Sequence, residues 1–83
     1  MKAAVDISMY PLDAEYETPI LDFIARLNQH EGLKIQTNAL STQISGDYDD
    51  IMQILTREIK ESFLAGGTQI MVLKILNIDI QLP

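Results

Sequence analysis

Apolar residues recur along this chain with two different periods, and each change of period marks an element boundary. From Ala3 to Tyr10 they alternate, with Ala3, Val5, Ile7 and Met9 on one face and Ala4, Asp6, Ser8 and Tyr10 on the other, the pattern of a strand with one apolar face. Pro11 ends it, because proline has no N–H to give to a ladder. The stretch LDAEYE that follows reads as a loop, and Thr18 before Pro19 reads as the N-cap and first position of a helix. Ile20, Phe23, Ile24 and Leu27 then fall at i, i+3, i+4 and i+7 and make one apolar stripe. Asp22 and Arg26 are spaced to pair on the outer face, an exposed contact contributing about 0.3 to 0.5 kcal/mol. Gly32 supplies a left-handed position at the helix end, with His30 in the last turn as a surface residue.

Leu33 to Leu40 and Ser41 to Gly46 read as a hairpin, after which Asp47 is placed to cap a second helix and Asp50 to complete a capping box. The acidic cluster Asp47, Asp49 and Asp50 therefore has a structural reason at a helix N-terminus and is no indication of metal binding. Ile51, Ile54, Leu55, Ile59 and Phe63 form the stripe of this helix, and Gly66-Gly67 stop it. The last strand, Gln69 to about Leu76, is apolar on both faces: Ile70, Val72 and Leu76 point one way, Met71, Leu73 and Ile75 the other. Two helices can cover only one face. The alternating tail Ile78 to Leu82 is expected to extend further and to join an edge across an interface. The order strand, helix, strand, strand, helix, strand predicts an α+β, ferredoxin-like βαββαβ fold. It is a four-stranded antiparallel sheet with the first and third strands central and two helices on one face.

Composition narrows the function more than the fold. At 83 residues the chain is a single domain, residues 1–83, small enough that association would add stability a monomer lacks. The absence of cysteine removes disulfides, thiolate metal sites and thiol nucleophiles, and one histidine cannot build a His-rich metal site. Twelve acidic against six basic residues repel nucleic-acid phosphates. No spanning segment or signal peptide is apparent, so a cytoplasmic protein without membrane association is expected. Arg26 and Arg57 both fall on outward helix positions, which leaves no phosphate cradle, and no catalytic triad, metal cluster or glycine-rich loop is visible. The chain reads as a non-enzyme without cofactor.

Candidate chemistry concentrates in KIQTNALSTQISGDYDD, Lys34 to Asp50, where Thr37, Asn38, Ser41, Thr42 and Gln43 crowd hydroxyls and amides into one bend. Such residues also serve turns by satisfying backbone groups. With Ser8 and Tyr10 of the first strand they would form a concave polar patch beside an aromatic ring, on the sheet face away from the helices.

VDISMYPL on the first strand and GLKIQTNALSTQISGDYDDI, through the last strand QIMVLKI, resemble the small thiamine/hydroxymethylpyrimidine-binding family of the YkoF type, in its single-domain form. The resemblance covers nearly the whole chain. It departs where that family often has Pro and Gly, at Asn38-Ala39 and Ser41. It implies non-catalytic binding of thiamine or its hydroxymethylpyrimidine moiety, in transport, salvage or sensing, by a homo-oligomer, dimer or tetramer. Tyr10 would then offer the ring, Ser8, Thr37, Asn38, Ser41, Thr42 and Gln43 the hydrogen-bonding partners, and Asp6 a counter-charge for the thiazolium. The alternative is an oligomeric regulatory or interaction module of the same fold with no small-molecule ligand.

Overall fold

A computed structural model describes all residues from Met1 to Pro83. The elements are β1 (Lys2–Pro11), α1 (Glu17–Leu27), β2 (Lys34–Thr37), β3 (Thr42–Asp47), α2 (Tyr48–Leu64) and β4 (Gln69–Leu76). They form one antiparallel sheet in the order β2-β3-β1-β4 with both helices on one face, the expected βαββαβ arrangement. The odd residues of β1 do what their alternation requires: Ala3, Val5 and Ile7 are buried together with Ile44 of β3 beneath Phe23 and Leu27 of α1 and Ile51 and Leu55 of α2. Each large side chain in this cluster contributes about 1.5 to 3 kcal/mol on burial. Of the two apolar faces of β4, Met71 and Leu73 pack on the core, whereas Ile70, Val72 and Leu76 stay largely exposed on the other side. Ile75 shares the inner face yet lies beyond the cover of the helices, 49% exposed.

Helix ends differ from the sequence expectation in instructive ways. α1 starts at Glu17, with Tyr16 as a cap residue that makes no side-chain cap bond, so Thr18 lies inside the first turn and its hydroxyl donates to Glu15 Oε1 (3.0 Å). Pro19 remains in that turn, where no intrahelical partner awaits its missing N–H. The other end is closed by Asn28, whose Nδ2 donates to the Ile24 carbonyl (2.9 Å). Gly32, at φ +89°, therefore turns the chain into β2 and does not terminate the helix. Asp47 does cap α2, accepting from Asp49 N at 3.2 Å. Asp50 adds no return bond, being a methylene shorter than the Glu or Gln of a full capping box.

The buried face of α2 runs through Ile51, Leu55, Glu58 and Ser62, while Phe63 is 48% exposed. The apolar stripe thus gives way to a polar one halfway along, because the guanidinium of Arg26 in α1 and the imidazole of His30, just beyond its end, face it there. Arg26 turns away from Asp22 and inward: its Nε donates to Glu58 Oε1 (2.9 Å), and its Nη2 to the Glu58 carbonyl (3.0 Å) and Ser62 Oγ (2.6 Å). The same guanidinium lies 5.9 Å from the Phe23 ring centre. His30 is not a free surface residue, since its Nε2 lies 2.7 Å from Glu58 Oε2. Burial alone would raise the Glu58 pKa, but the hydrogen bonds and charges of His30 and Arg26 prevail and hold its carboxyl below the ordinary glutamate range.

After β4 the chain leaves the sheet without forming another strand. Ser45 Oγ donates to the Ile80 carbonyl (2.7 Å), so the tail folds back over the face opposite the helices, where the cross-strand pair Ala4 and Ser45 is buried. The expected edge extension is replaced by a strap on the chain's own sheet.

Candidate functional site

The site grows out of a mismatch in strand length. β3 begins at Thr42, opposite Ile7, whereas β1 continues to Pro11. Residues 8–11 of β1 are therefore paired only with β4, and their other backbone edge has no strand against it. The hairpin bend Asn38–Ser41 closes one side of this notch, α1 roofs it with Ile20, Phe23 and Ile24, and Leu12 and Tyr16 of the connecting loop form its lip. The result is a cavity of about 530 Å³, within the range of small-molecule sites, about 300 to 1,000 Å³.

Ile7, Met9 and Thr42 lie under the cavity, because each points from its strand toward the helices. Thr42 is buried, and its hydroxyl meets that of Thr37 across the closing pair of the hairpin at 3.0 Å. Tyr10 and Tyr16 border the opening, each about half exposed (53% and 52%). No carboxylate, imidazole, amine or guanidinium lines the cavity. No cluster of three His, Cys, Asp or Glu anywhere in the chain is suited to a metal ion.

The bend itself is built by Asn38. Its Oδ1 accepts from Leu40 N (2.9 Å) and Ser41 N (3.1 Å), its backbone N–H donates to the Ser41 carbonyl (3.0 Å), and its Nδ2 donates to Gln43 Oε1 (3.2 Å). Gln43 Nε2 reaches on to Asp6 Oδ1 (2.9 Å) and Ser41 Oγ (2.7 Å), and Ser41 Oγ donates to the same Asp6 oxygen (2.5 Å). This chain of amides and hydroxyls lies on the far face of the sheet. The hydrogen bonds from Ser41 and Gln43 hold the Asp6 carboxyl below the usual aspartate range.

The model of the thiamine-binding proteins matches residues 5–81. The chain belongs to the thiamine-binding protein family. Among solved structures, this thiamine-binding family member is similar to a protein from Streptococcus pneumoniae, at 23% identity and TM-score 0.88, with 96% of this chain and 90% of that one covered. A candidate thiamine biosynthesis/salvage protein from Thermotoga maritima follows at 18% identity and TM-score 0.83, over 94% and 85% of the two chains. A hypothetical protein from Methanocaldococcus jannascii gives 23% and 0.80, over 96% and 84%. These likenesses show the fold. No functionally curated protein is similar enough in sequence to match.

The eight residues singled out in the sequence of this thiamine-binding family member divide into two groups. Ser8, Tyr10, Thr37, Asn38, Ser41 and Thr42 all border the cavity, whereas Asp6 and Gln43 do not. The notch opens toward the helices, not on the bare face anticipated from the positions of Ser8 and Tyr10. Asp6 braces the bend from behind, so it is not a counter-charge inside the cavity. The side chains of Asn38 and Ser41 are likewise committed to shaping the hairpin. Sequence reasoning missed Tyr16, which reads as loop, and Ile20, Phe23 and Ile24, which read as core. The spacing of Tyr16 and Ile20, four apart at a helix start, was the available signal for a shared face.

Proposed function

We propose that the notch binds thiamine or its hydroxymethylpyrimidine moiety without transforming it, one molecule per subunit, in thiamine transport, salvage or sensing. The observation that carries this is an unpaired strand edge beside aromatic side chains in a cavity without charged lining. An aminopyrimidine offers a flat π-face and an edge on which donor and acceptor groups adjoin. On the free edge Met9 presents an N–H and a C=O and Pro11 a further C=O, a donor with acceptors beside it. The Thr37–Thr42 hydroxyl pair adds a partner that can donate or accept. Phe23 and Tyr16 supply apolar and stacking surface, while Tyr10, whose side chain lies opposite Ile70 on the far face, only borders the opening. Family membership and the fold shared with a candidate thiamine salvage protein support the choice of ligand.

Binding without catalysis fits the placement of the reactive groups. His30, Arg26 and Glu58 are bonded to one another between the helices, outside the lining of the notch. Calorimetric titration of the purified chain with thiamine and with hydroxymethylpyrimidine tests the reading. Saturable binding of at least one at a 1:1 ratio is expected, and heatless titrations with both, together with an unshifted melting temperature, would reject it in favour of a ligand-free interaction module.

Assembly into a homo-oligomer accompanies this reading. Tyr10, Ile70, Val72 and Leu76 form an exposed apolar band on the far face of β1 and β4, with Tyr10 directly opposite Ile70. Soluble monomers avoid bands of this kind.

A further inference from the structure

We propose that the notch discriminates by charge, accepting the unphosphorylated ligand and rejecting its phosphate esters. The inference rests on the thiamine reading above and adds to it which chemical form is held. Two independent features carry it, the neutrality of the lining and the sign of the charges around the mouth.

Within the cavity there is only apolar surface, hydroxyl, amide and backbone. A phosphate seated there would lose its hydration without gaining a cation, which is the costly way to bury a charge. None of the six basic residues can reach in to help. Lys2 and Lys34 pair with Asp47 and Ser45, at the opposite end of the sheet from the bend. Lys74 stands opposite Asp6, and Arg26 is held by Glu58 and Ser62. Arg57 and Lys60 belong to α2, which contributes nothing to the lining.

Outside, the loop that forms the lip is acidic. Asp13, Glu15 and Glu17 lie in and beside the segment from Leu12 to Tyr16, whose two end residues line the cavity, and all three are exposed. Their field, on a chain of net charge -6, attracts a thiazolium and repels a phosphate approaching the same opening. The one local feature that favours an anion is the N-terminus of α1, which points its free N–H groups toward this loop. Glu17 already occupies the first turn with negative charge, and Pro19 removes one of the donors.

Calorimetry on the full chain at low and high salt, with thiamine, thiamine monophosphate and thiamine diphosphate, tests this, with neutral hydroxymethylpyrimidine as reference. Thiamine is expected to bind at least tenfold more tightly than the diphosphate at low salt, with the gap narrowing as salt screens the lip. The triple variant D13N/E15Q/E17Q keeps the acceptor oxygens that order the loop. It should narrow the gap severalfold while hydroxymethylpyrimidine affinity serves as the control for an intact cavity. Diphosphate binding as tight as thiamine would overturn the proposal and leave the thiamine reading standing. An unchanged gap in the triple variant would overturn the role of the lip, and failure of all the compounds to bind would remove the thiamine reading together with it.

Discussion

Thr37 and Thr42 show how two neighbouring hydroxyls can matter for a ligand and hardly at all for the fold. Replacing both by valine removes donor and acceptor together and keeps the shape, which is nearly neutral for stability, whereas removing one would leave the other unpaired. The double variant T37V/T42V is expected to melt within a few degrees of the parent and to bind the pyrimidine ligand about tenfold more weakly, read by calorimetry. Asn38→Ala should behave in the opposite way. It deletes the side chain that accepts from two backbone N–H groups and donates to Gln43, so the melting temperature falls by several degrees. Its loss of affinity should follow from the lost bend. The crowding of polar residues in TNALSTQ was legible from the sequence, but their division of labour was not. Pleat parity sends Thr37 and Thr42 toward the helices and Gln43 toward Asp6, and that parity depends on a register which the sequence of one strand does not reveal.

At the scale of elements, every strand and helix was legible from its period, and, helix ends and the tail apart, the errors fell where a polar residue took a buried position. Apolar spacing assigned Phe63 to the core of α2 and left out Glu58 and Ser62, because a stripe drawn through hydrophobic residues cannot register a carboxylate whose partners come from another helix. Arg26 and His30 were placed outside for the same reason. Glu58→Ala should therefore destabilise the chain by about 1.5 to 3 kcal/mol, the range for hydrogen bonds to a charged group. A fall in melting temperature of roughly 6 to 24 °C would register it. Since the folded-state pKa of Glu58 is depressed, the unfolded chain takes up the proton more readily than the folded one. The stabilisation is complete above the ordinary glutamate range, about 4.3, and is lost as pH falls through the folded value. Urea unfolding at stepped pH should show this decline in the parent chain and a shallower one in Glu58→Gln. The depressed Asp6 adds to the same acid slope in both.

For the whole molecule, one face of the sheet is closed by helices and the other only in part, by the tail that Ser45 holds through Ile80. The doubly apolar sequence of β4 made an uncovered band foreseeable, but which face would carry it depended on the pairing Ser8 with Val72 and Tyr10 with Ile70. If that band joins subunits, Ile70→Lys/Val72→Lys should shift sedimentation from oligomer to monomer while the helices, read by circular dichroism, persist. A parent chain that sediments as a monomer at micromolar concentration would remove the need for the band to be covered by another copy.

The overhang of β1 past β3 also makes the binding site visible in time. Amides on an unpaired strand edge trade their protons with solvent quickly, whereas those locked in a ladder do so only when the structure opens. Leu12 N is tied to the Thr68 carbonyl. In the free chain the Met9 amide, on the edge that faces the notch, should instead lose its label early, although it belongs to a central strand that would ordinarily be the slowest part of a sheet. A ligand docked against that edge acts as a short substitute for the missing stretch of β3. Its residence would be recorded as slowed exchange at Met9, with the Ser8, Tyr10 and Leu12 amides on the β4 side of the same strand unaltered.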